Sequence, residues 1–197
     1  FKPVLIWIAV IALFFGFFSW RRNLVWRSES SLWKDVSQKS PAASLSWSNY
    51  CAALIDIGET RKAAQACKLA IHLDPKDKDS YNNLGVCYFQ TGDLAQAEKN
   101  YRKATDLDPK YAVALFHLGL IKILKDDAAG ARYYFDRAEQ AGTKDAKMYF
   151  NLGLVYEKLG EPENALRAFR IALAMRPEWI EARLKIAAFL FEQGRCG

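Results

Sequence analysis

The sequence predicts an all-α protein in which an N-terminal transmembrane helix precedes a right-handed α-solenoid of four helix pairs and one extra helix. Two observations lead to this fold class. Residues 4–20, VLIWIAVIALFFGFFSW, contain no charged side chain. From residue 44 onwards the sequence repeats every 34 residues without gaps, which is typical of a helical repeat array.

The apolar segment is expected to cross a bilayer, within a transmembrane region at residues 1–21. As a helix its 17 residues reach about 26 Å, the short end of what a span needs. A cleavable signal peptide would need a basic start and a small-residue cleavage site, whereas bulky aromatic side chains and arginines follow here. Five residues are expected at the membrane interface, in contact with lipid: Trp20, Arg21, Arg22, Trp26 and Arg27. Since the first residue is Phe1 rather than Met, we expect a longer parent chain, and further spans could precede this one.

Residues 22–43 are predicted to join the span to the array. Residues 28–39 favour one short capping helix with Leu32, Trp33 and Val36 on one side. Ser40 and Pro41 then have the pattern of an N-cap followed by a first-turn proline, which predicts that the array's first helix begins there.

The repeats of the solenoid, residues 44–197, occupy residues 44–77, 78–111, 112–145 and 146–179, with a partial repeat at 180–197. Each full repeat is predicted to be two antiparallel helices that cannot bury their faces without stacked neighbours. Small residues recur 34 positions apart at Cys51, Gly85, Gly119, Gly153 and Ala187. Glycines mark the turns within pairs, and prolines end the second helices: Gly58, Gly92 and Gly160, then Pro75, Pro109 and Pro177.

The third and the last repeats depart from this pattern. Asp126 replaces the turn glycine and Thr143 the proline, so the turn and exit of the third repeat are less well specified. The helix after Pro177 is apolar on two faces, and a truncation or a partner that covers it would explain this.

The pattern resembles the tetratricopeptide repeat. In the second repeat the matching residues are Tyr81, Leu84, Gly85, Tyr88, Gly92, Ala97, Tyr101, Ala104 and Pro109. The resemblance implies a concave groove, lined by the first helix of each pair, that binds a protein or peptide partner.

Nine residues are predicted to line this groove: Asn49, Asn83, His117, Asn151, Phe89, Phe116, Leu120, Phe150 and Leu154. The asparagine column is either a ladder that grips a peptide backbone or a set of solvated and locally capping amides. The apolar column either contacts a partner or is partly buried by the array's own curvature. A basic carboxylate clamp, another binding mode of this family, is poorly matched by Lys122, Lys147, Lys158 and Lys185.

Charge and composition disfavour nucleic-acid binding and catalysis. Residues 1–43 hold six basic and two acidic side chains, whereas the remaining 154 hold 22 and 20. The repeats are thus nearly neutral, without the basic excess of a nucleic-acid binder. The two histidines, His72 and His117, lie in different repeats, and no phosphate-binding glycine motif is present. We therefore expect no catalytic site, no metal and no cofactor.

The cysteines match no zinc or redox motif. Cys51 and Cys67 are predicted on facing helices of the first pair and Cys87 on the next helix, so these three are candidates for a disulfide, with the connectivity left open. The alternative is that they are small buried apolar residues.

The segment RNLVWRSESSLW, through Arg22, Asn23, Trp26, Glu29 and Leu32-Trp33, resembles the end of repeat-bearing GT-C-type membrane glycosyltransferases, including transmembrane O-mannosyltransferases. The resemblance implies a lumenal or periplasmic array that positions acceptor protein, with the catalytic residues in earlier spans. The positive-inside rule, applied to this span alone, favours the cytoplasm instead. Earlier spans would dominate the orientation of the whole protein, so we expect the repeats on the periplasmic or lumenal side. Three functions stay open: a membrane-anchored binding scaffold, the acceptor-positioning region of such an enzyme, and a subunit of a larger membrane complex.

Overall fold

The described part of the chain is entirely helical. The computed structural model describes residues 15–16, 27–142 and 145–192. Within these ranges it contains ten α-helices and no β-strand, as the sequence predicts. The helices are α1 (Glu29–Lys39), α2 (Ser44–Asp56), α3 (Thr60–Leu73), α4 (Lys78–Gln90), α5 (Leu94–Leu107), α6 (Ala112–Leu124), α7 (Ala128–Gln140), α8 (Ala146–Lys158), α9 (Pro162–Met175) and α10 (Ile180–Glu192).

The chain divides into two compact units, one up to Thr91 and one from Gly92. In the N-terminal unit, α2 pairs with α3, α4 packs against both, and α1 packs against α2. In the C-terminal unit, α6 pairs with α7 and α8 with α9, while α5 packs against α6 and α10 against α9. In both units, each helix pair packs against the helix that follows it in sequence.

The turns and ends of the repeats are as predicted. The turn residues Gly58, Gly92 and Gly160 have φ of 75°, 81° and 69°, a left-handed conformation that glycine adopts without steric cost. The second helices end two residues before each proline, at Leu73, Leu107 and Met175. Aspartates cap several helix N-termini by accepting a backbone N–H: Asp77, Asp93, Asp127 and Asp145.

In two repeats, a glycine of the first helix lies directly against an aromatic ring of the second helix. A Cβ added at Gly119 would overlap the ring of Phe135, and one at Gly153 would overlap the ring of Phe169. Both rings are fully buried. The small residues recur every 34 positions because the same close contact between the two helices of a pair recurs in successive repeats.

The start of the array differs from the prediction. Ser28 caps α1 and Ser31 completes a capping box, but α2 begins at Ser44 rather than directly after Pro41. The N–H of Ser40 donates to the carbonyl of Val36, so Ser40 closes α1 instead of opening α2. The carbonyl of Pro41 in the following turn accepts a 3.0 Å hydrogen bond from the indole N–H of Trp47.

None of the helices in the described ranges is long and apolar enough to cross a membrane. The predicted span at residues 4–20 falls, apart from Phe15 and Gly16, outside the described residues. It therefore remains a prediction.

Candidate functional site

The predicted groove residues lie on the first helices of their pairs. Asn49 is on α2 and Asn83 and Phe89 are on α4, in the N-terminal unit. The other six are on α6 and α8 in the C-terminal unit: Phe116, His117, Leu120, Phe150, Asn151 and Leu154. All nine side chains are partly buried. The C-terminal unit holds most of the candidate site.

An apolar face runs over the first helices of the C-terminal unit. It consists of Val113, Phe116, Leu120 and Leu124 of α6, Phe150 and Leu154 of α8, and Leu184 and Phe191 of α10. Several of its members are unusually exposed for large apolar side chains: Val113 46%, Leu124 58%, Leu184 64% and Phe191 76%. Val113 is absent from the predicted set, although its position three residues before Phe116 puts it on the same helix face. Contiguous exposed apolar surface of this kind is typical of a binding site.

Two of the three phenylalanines of this face, Phe116 and Phe150, are partly structural. The Phe150 ring lies 5.5 Å from that of Phe169 and stacks on Trp179 at 4.7 Å between ring centroids. The Phe116 ring lies 5.8 Å from the Phe135 ring. Phe116 and Phe150 therefore belong in part to the core. Most of the free apolar surface comes from the exposed side chains of Val113, Leu124, Leu184 and Phe191.

Two asparagines of the predicted groove make local contacts, and the peptide-binding ladder itself stays a prediction. The Asn151 amide N–H donates to the carbonyl of Lys147 in its own helix at 2.9 Å. In the N-terminal unit, the Asn82 amide donates weakly to the Asn83 oxygen at 3.5 Å. These contacts fit the locally bonded alternative for the amides, at least at Asn151.

His117 is a packing residue. Its ring stacks on Tyr101 of α5, with 4.8 Å between ring centroids and an interplanar angle of 10°. Its Nδ1 atom is buried and makes no hydrogen bond within the described residues. Burial lowers the pKa of His117 from 6.5 to about 4, against a smaller opposite effect of Asp145. The imidazole is therefore neutral at pH 7.

Three of the four lysines considered for a carboxylate clamp are engaged in ion pairs. Lys122 contacts Asp127 at 3.1 Å and Lys185 contacts Glu157 at 2.7 Å. Lys158, at the end of α8, forms an ion pair with Asp126 in the turn between α6 and α7. The charges along the apolar face thus largely neutralise one another, which does not favour a strongly charged ligand.

The cysteines of the N-terminal unit form one buried cluster. Cys51 and Cys67 are joined by a disulfide, with 5.3 Å between their Cα atoms. Cys87 packs in the same apolar cluster as a free thiol. Burial raises the pKa of the Cys87 thiol to about 11, so it is not a reactive thiolate at neutral pH.

Four of the predicted membrane-interface residues, Trp20, Arg21, Arg22 and Trp26, lie outside the described residues. Arg27 is described, and it is exposed just before the cap of α1. Over the described ranges, no group of three or more His, Cys, Asp or Glu side chains is arranged to hold a metal ion.

These features define an all-α repeat protein of stacked helix pairs. Two segments, residues 79–111 and 146–178, match the tetratricopeptide repeat family. These two segments are thus tetratricopeptide repeats, which confirms that part of the sequence prediction. No curated protein matches the chain significantly. The likeness to GT-C-type glycosyltransferases remains a prediction.

Solved structures of other proteins show the same fold, among them TTC0263 and YrrB, which are described as tetratricopeptide repeat proteins. MamA is 26% identical with a TM-score of 0.65, and the match covers 77% of this chain and 83% of MamA. TTC0263, a thermophilic protein of Thermus thermophilus, is 19% identical with a TM-score of 0.67, over 82% of this chain and 89% of the other. YrrB, described as having an unusual peptide-binding site, is 17% identical with a TM-score of 0.66, over 83% and 84% of the two chains. Together with the repeat matches, these likenesses support a protein–protein interaction scaffold.

Proposed function

We propose that the chain is a scaffold that binds a protein or peptide partner on the apolar face of its C-terminal unit. The observation that carries the proposal is the exposure of Leu124 and Leu184 on the first helices α6 and α10. Phe135 and Phe169 of the second helices are fully buried, whereas these two leucines of first helices are largely exposed. Burying such side chains against a partner is favourable by about 25 cal/mol per Å² of apolar area.

The ion pairs along this face indicate that its partner is not strongly charged. Lys185 contacts Glu157 between α10 and α8, and neither charge is left to attract a strongly acidic or basic peptide. The Asn151 amide is already bonded to its own helix. We therefore expect affinity to come from apolar side chains of the partner, with little dependence on salt.

A random peptide display library selected on the full chain tests the proposal. Peptides enriched on the wild type are compared on Leu124→Asp, Leu184→Asp and the control Tyr133→Asp, in which an aspartate replaces a similarly exposed aromatic residue of the second helix α7. Both leucine variants should weaken binding by about tenfold or more, because a charge must then be desolvated in the interface. Equal binding to all four proteins would refute the assignment of this face.

We propose in addition that residues 4–20 anchor the chain in a membrane, with the repeats on the periplasmic or lumenal side. The uncharged apolar run supports the anchor. The Cys51–Cys67 disulfide supports the sidedness, because disulfides persist mainly in oxidising compartments. In sealed vesicles or cells, a membrane-impermeant protease should then digest the repeats from the extracytoplasmic side. Release of the chain by alkaline extraction would contradict the anchor.

The second candidate function is that of a subunit in a larger complex. The exposed apolar side chains of α10 favour it. Ile180 is 65% exposed at the start of α10, and Leu184 and Phe191 extend the exposed apolar surface along the helix. A neighbouring subunit would cover this helix. Extraction of the chain as a lone monomer, with α10 as accessible to labelling as in the purified protein, would count against this role.

A further inference from the structure

A small pocket lies where α6 ends, α7 begins and α8 passes beside them. Its volume is about 150 Å³, and it is lined by Ile123, Asp126, Ala128, Leu154, Val155 and Lys158. Its walls are aliphatic, and its charged atoms belong to the Asp126–Lys158 ion pair. An apolar cavity of about this size accommodates a benzene-sized group.

The ion pair is open to solvent. The side chains of Lys158 and Asp126 are 53% and 82% exposed. An exposed ion pair contributes little to folding stability. The pair does, however, present one hydrogen-bond acceptor and one donor beside an apolar cavity, and this matches the N–H and C=O of a peptide backbone.

The backbone at Asp126 adopts a left-handed conformation. Its φ is 61°, in the left-handed region that Gly58 and Gly160 occupy at the same position of their turns. Glycine adopts this conformation without a Cβ clash, and aspartate does so at some cost. Because its ion pair contributes little to stability, the Asp126 carboxylate at the rim of the pocket can take part in binding.

We propose that this pocket binds one leucine, methionine or phenylalanine side chain of a peptide partner. The Asp126 carboxylate accepts a hydrogen bond from the peptide N–H, and the Lys158 ammonium donates one to the peptide C=O. This inference rests on the proposed binding function of the apolar face. It specifies the kind of side chain that the face selects in its partner. The neutral ion pair at the rim and the aliphatic walls exclude a charged side chain as the occupant.

Blocked amino acids test the pocket without a known partner. The N-acetyl N-methylamides of leucine, methionine, phenylalanine, alanine, lysine and glutamate are titrated at millimolar concentration into the full chain, and methyl NMR shifts of Ile123, Leu154 and Val155 are recorded. The first three compounds should shift these methyl groups, and the last three should not. Ala128→Leu should fill the pocket and abolish the shifts, whereas Ala129→Leu, an exposed neighbour in the same helix turn, should leave them unchanged.

Two further variants separate binding from folding. Asp126→Gly should raise the thermal midpoint, because the turn strain is relieved, yet weaken leucine-amide binding about fivefold through loss of one hydrogen bond. Leu154→Ala should enlarge the pocket and shift its preference from the leucine to the phenylalanine amide. Unchanged amide binding in Asp126→Gly would overturn the role of the rim.

The outcomes distinguish this inference from the proposed function. If no blocked amino acid shifts the pocket methyl groups while Leu124→Asp and Leu184→Asp still abolish binding of selected peptides, the pocket assignment is wrong and the binding face stands. Shifts that appear on raising the protein concentration alone would assign the pocket to a second copy of the chain and overturn the inference. Amide shifts without any effect of the leucine variants would instead refute the face as the main binding site.

Discussion

The ring of Phe135 lies so close to Gly119 that a Cβ on the glycine would overlap it. In the first repeat, Cys51 and Cys67 occupy the same two positions, also 16 residues apart, and a covalent bond joins them. The same two positions thus join the two helices in both repeats. In the third repeat the contact is an aromatic ring against a glycine, and in the first repeat it is a disulfide.

Gly119→Ala is expected to destabilise the protein by about 1 kcal/mol. The higher helix propensity of alanine favours the helix by up to about 1 kcal/mol. Overlap with a fully buried ring costs about 1–3 kcal/mol, and this effect should dominate. The measurement is the denaturant midpoint, followed by the helical circular dichroism signal.

The control for this test is Gly119→Ala introduced into a Phe135→Leu variant. With the ring removed, the alanine should be neutral or stabilising, so the two substitutions should show clear coupling in a double-mutant cycle. An increase in midpoint on adding Gly119→Ala to the wild type would contradict the close contact.

Reduction of the Cys51–Cys67 disulfide should lower the free energy of unfolding by about 2–4 kcal/mol. The cysteines are 16 residues apart, and closing a loop of this length contributes about 3 kcal/mol through the entropy of the unfolded chain. Thermal unfolding with and without reductant measures the effect. Identical midpoints in the two conditions would show that the bond does not stabilise the fold.

The other repeats supply a control for the disulfide. Cys51→Gly combined with Cys67→Phe introduces the residue pair found at Gly153 and Phe169. This double variant should be insensitive to reductant and more stable than Cys51→Ser with Cys67→Ser, because the ring fills the space between the helices.

His117 should make stability fall as the solution is acidified from about pH 6.5 to pH 4. Its pKa is lowered to about 4 in the folded protein, against 6.5 in the unfolded chain. Between these values the unfolded chain binds more protons, so stability rises with pH across this window. The full effect is up to about 3 kcal/mol, at 1.36 kcal/mol per pH unit.

His117→Asn tests this assignment with the residue found at the same position in the other three full repeats. The variant should lose the acid-dependent component between pH 6.5 and pH 4, whereas His72→Asn, at an exposed site on α3, should retain it. Equal pH profiles for His117→Asn and the wild type would contradict the buried, neutral imidazole.

The spacing of 34 residues predicted the helix pairs, and the glycines and prolines predicted most of their turns and ends, because these signals act locally. Asp126 shows where the local signal is incomplete. The sequence predicted a poorly specified turn, yet Asp126 adopts the φ of 61° that the glycines favour. Aspartate is among the few residues other than glycine that adopt this conformation, so the turn forms without a glycine.

The candidate site was predictable in outline only. Helix periodicity placed Leu120 and Leu154 on one face and His117 in the column of the asparagines, but it did not predict the stacking contact that His117 makes. The ring of His117 stacks on Tyr101, a contact between successive repeats that helix periodicity does not reveal. The pocket at Asp126 and Lys158 likewise brings together residues 32 positions apart.

The most direct test of the binding account is a map of where a selected peptide lies on the full chain. A photo-crosslinker in the peptide, followed by mass spectrometry, identifies the contacted residues. We expect crosslinks to Leu120, Leu124, Leu154 and Leu184 on the first helices. Crosslinks confined to second-helix residues such as Tyr133 and Arg167 would contradict it.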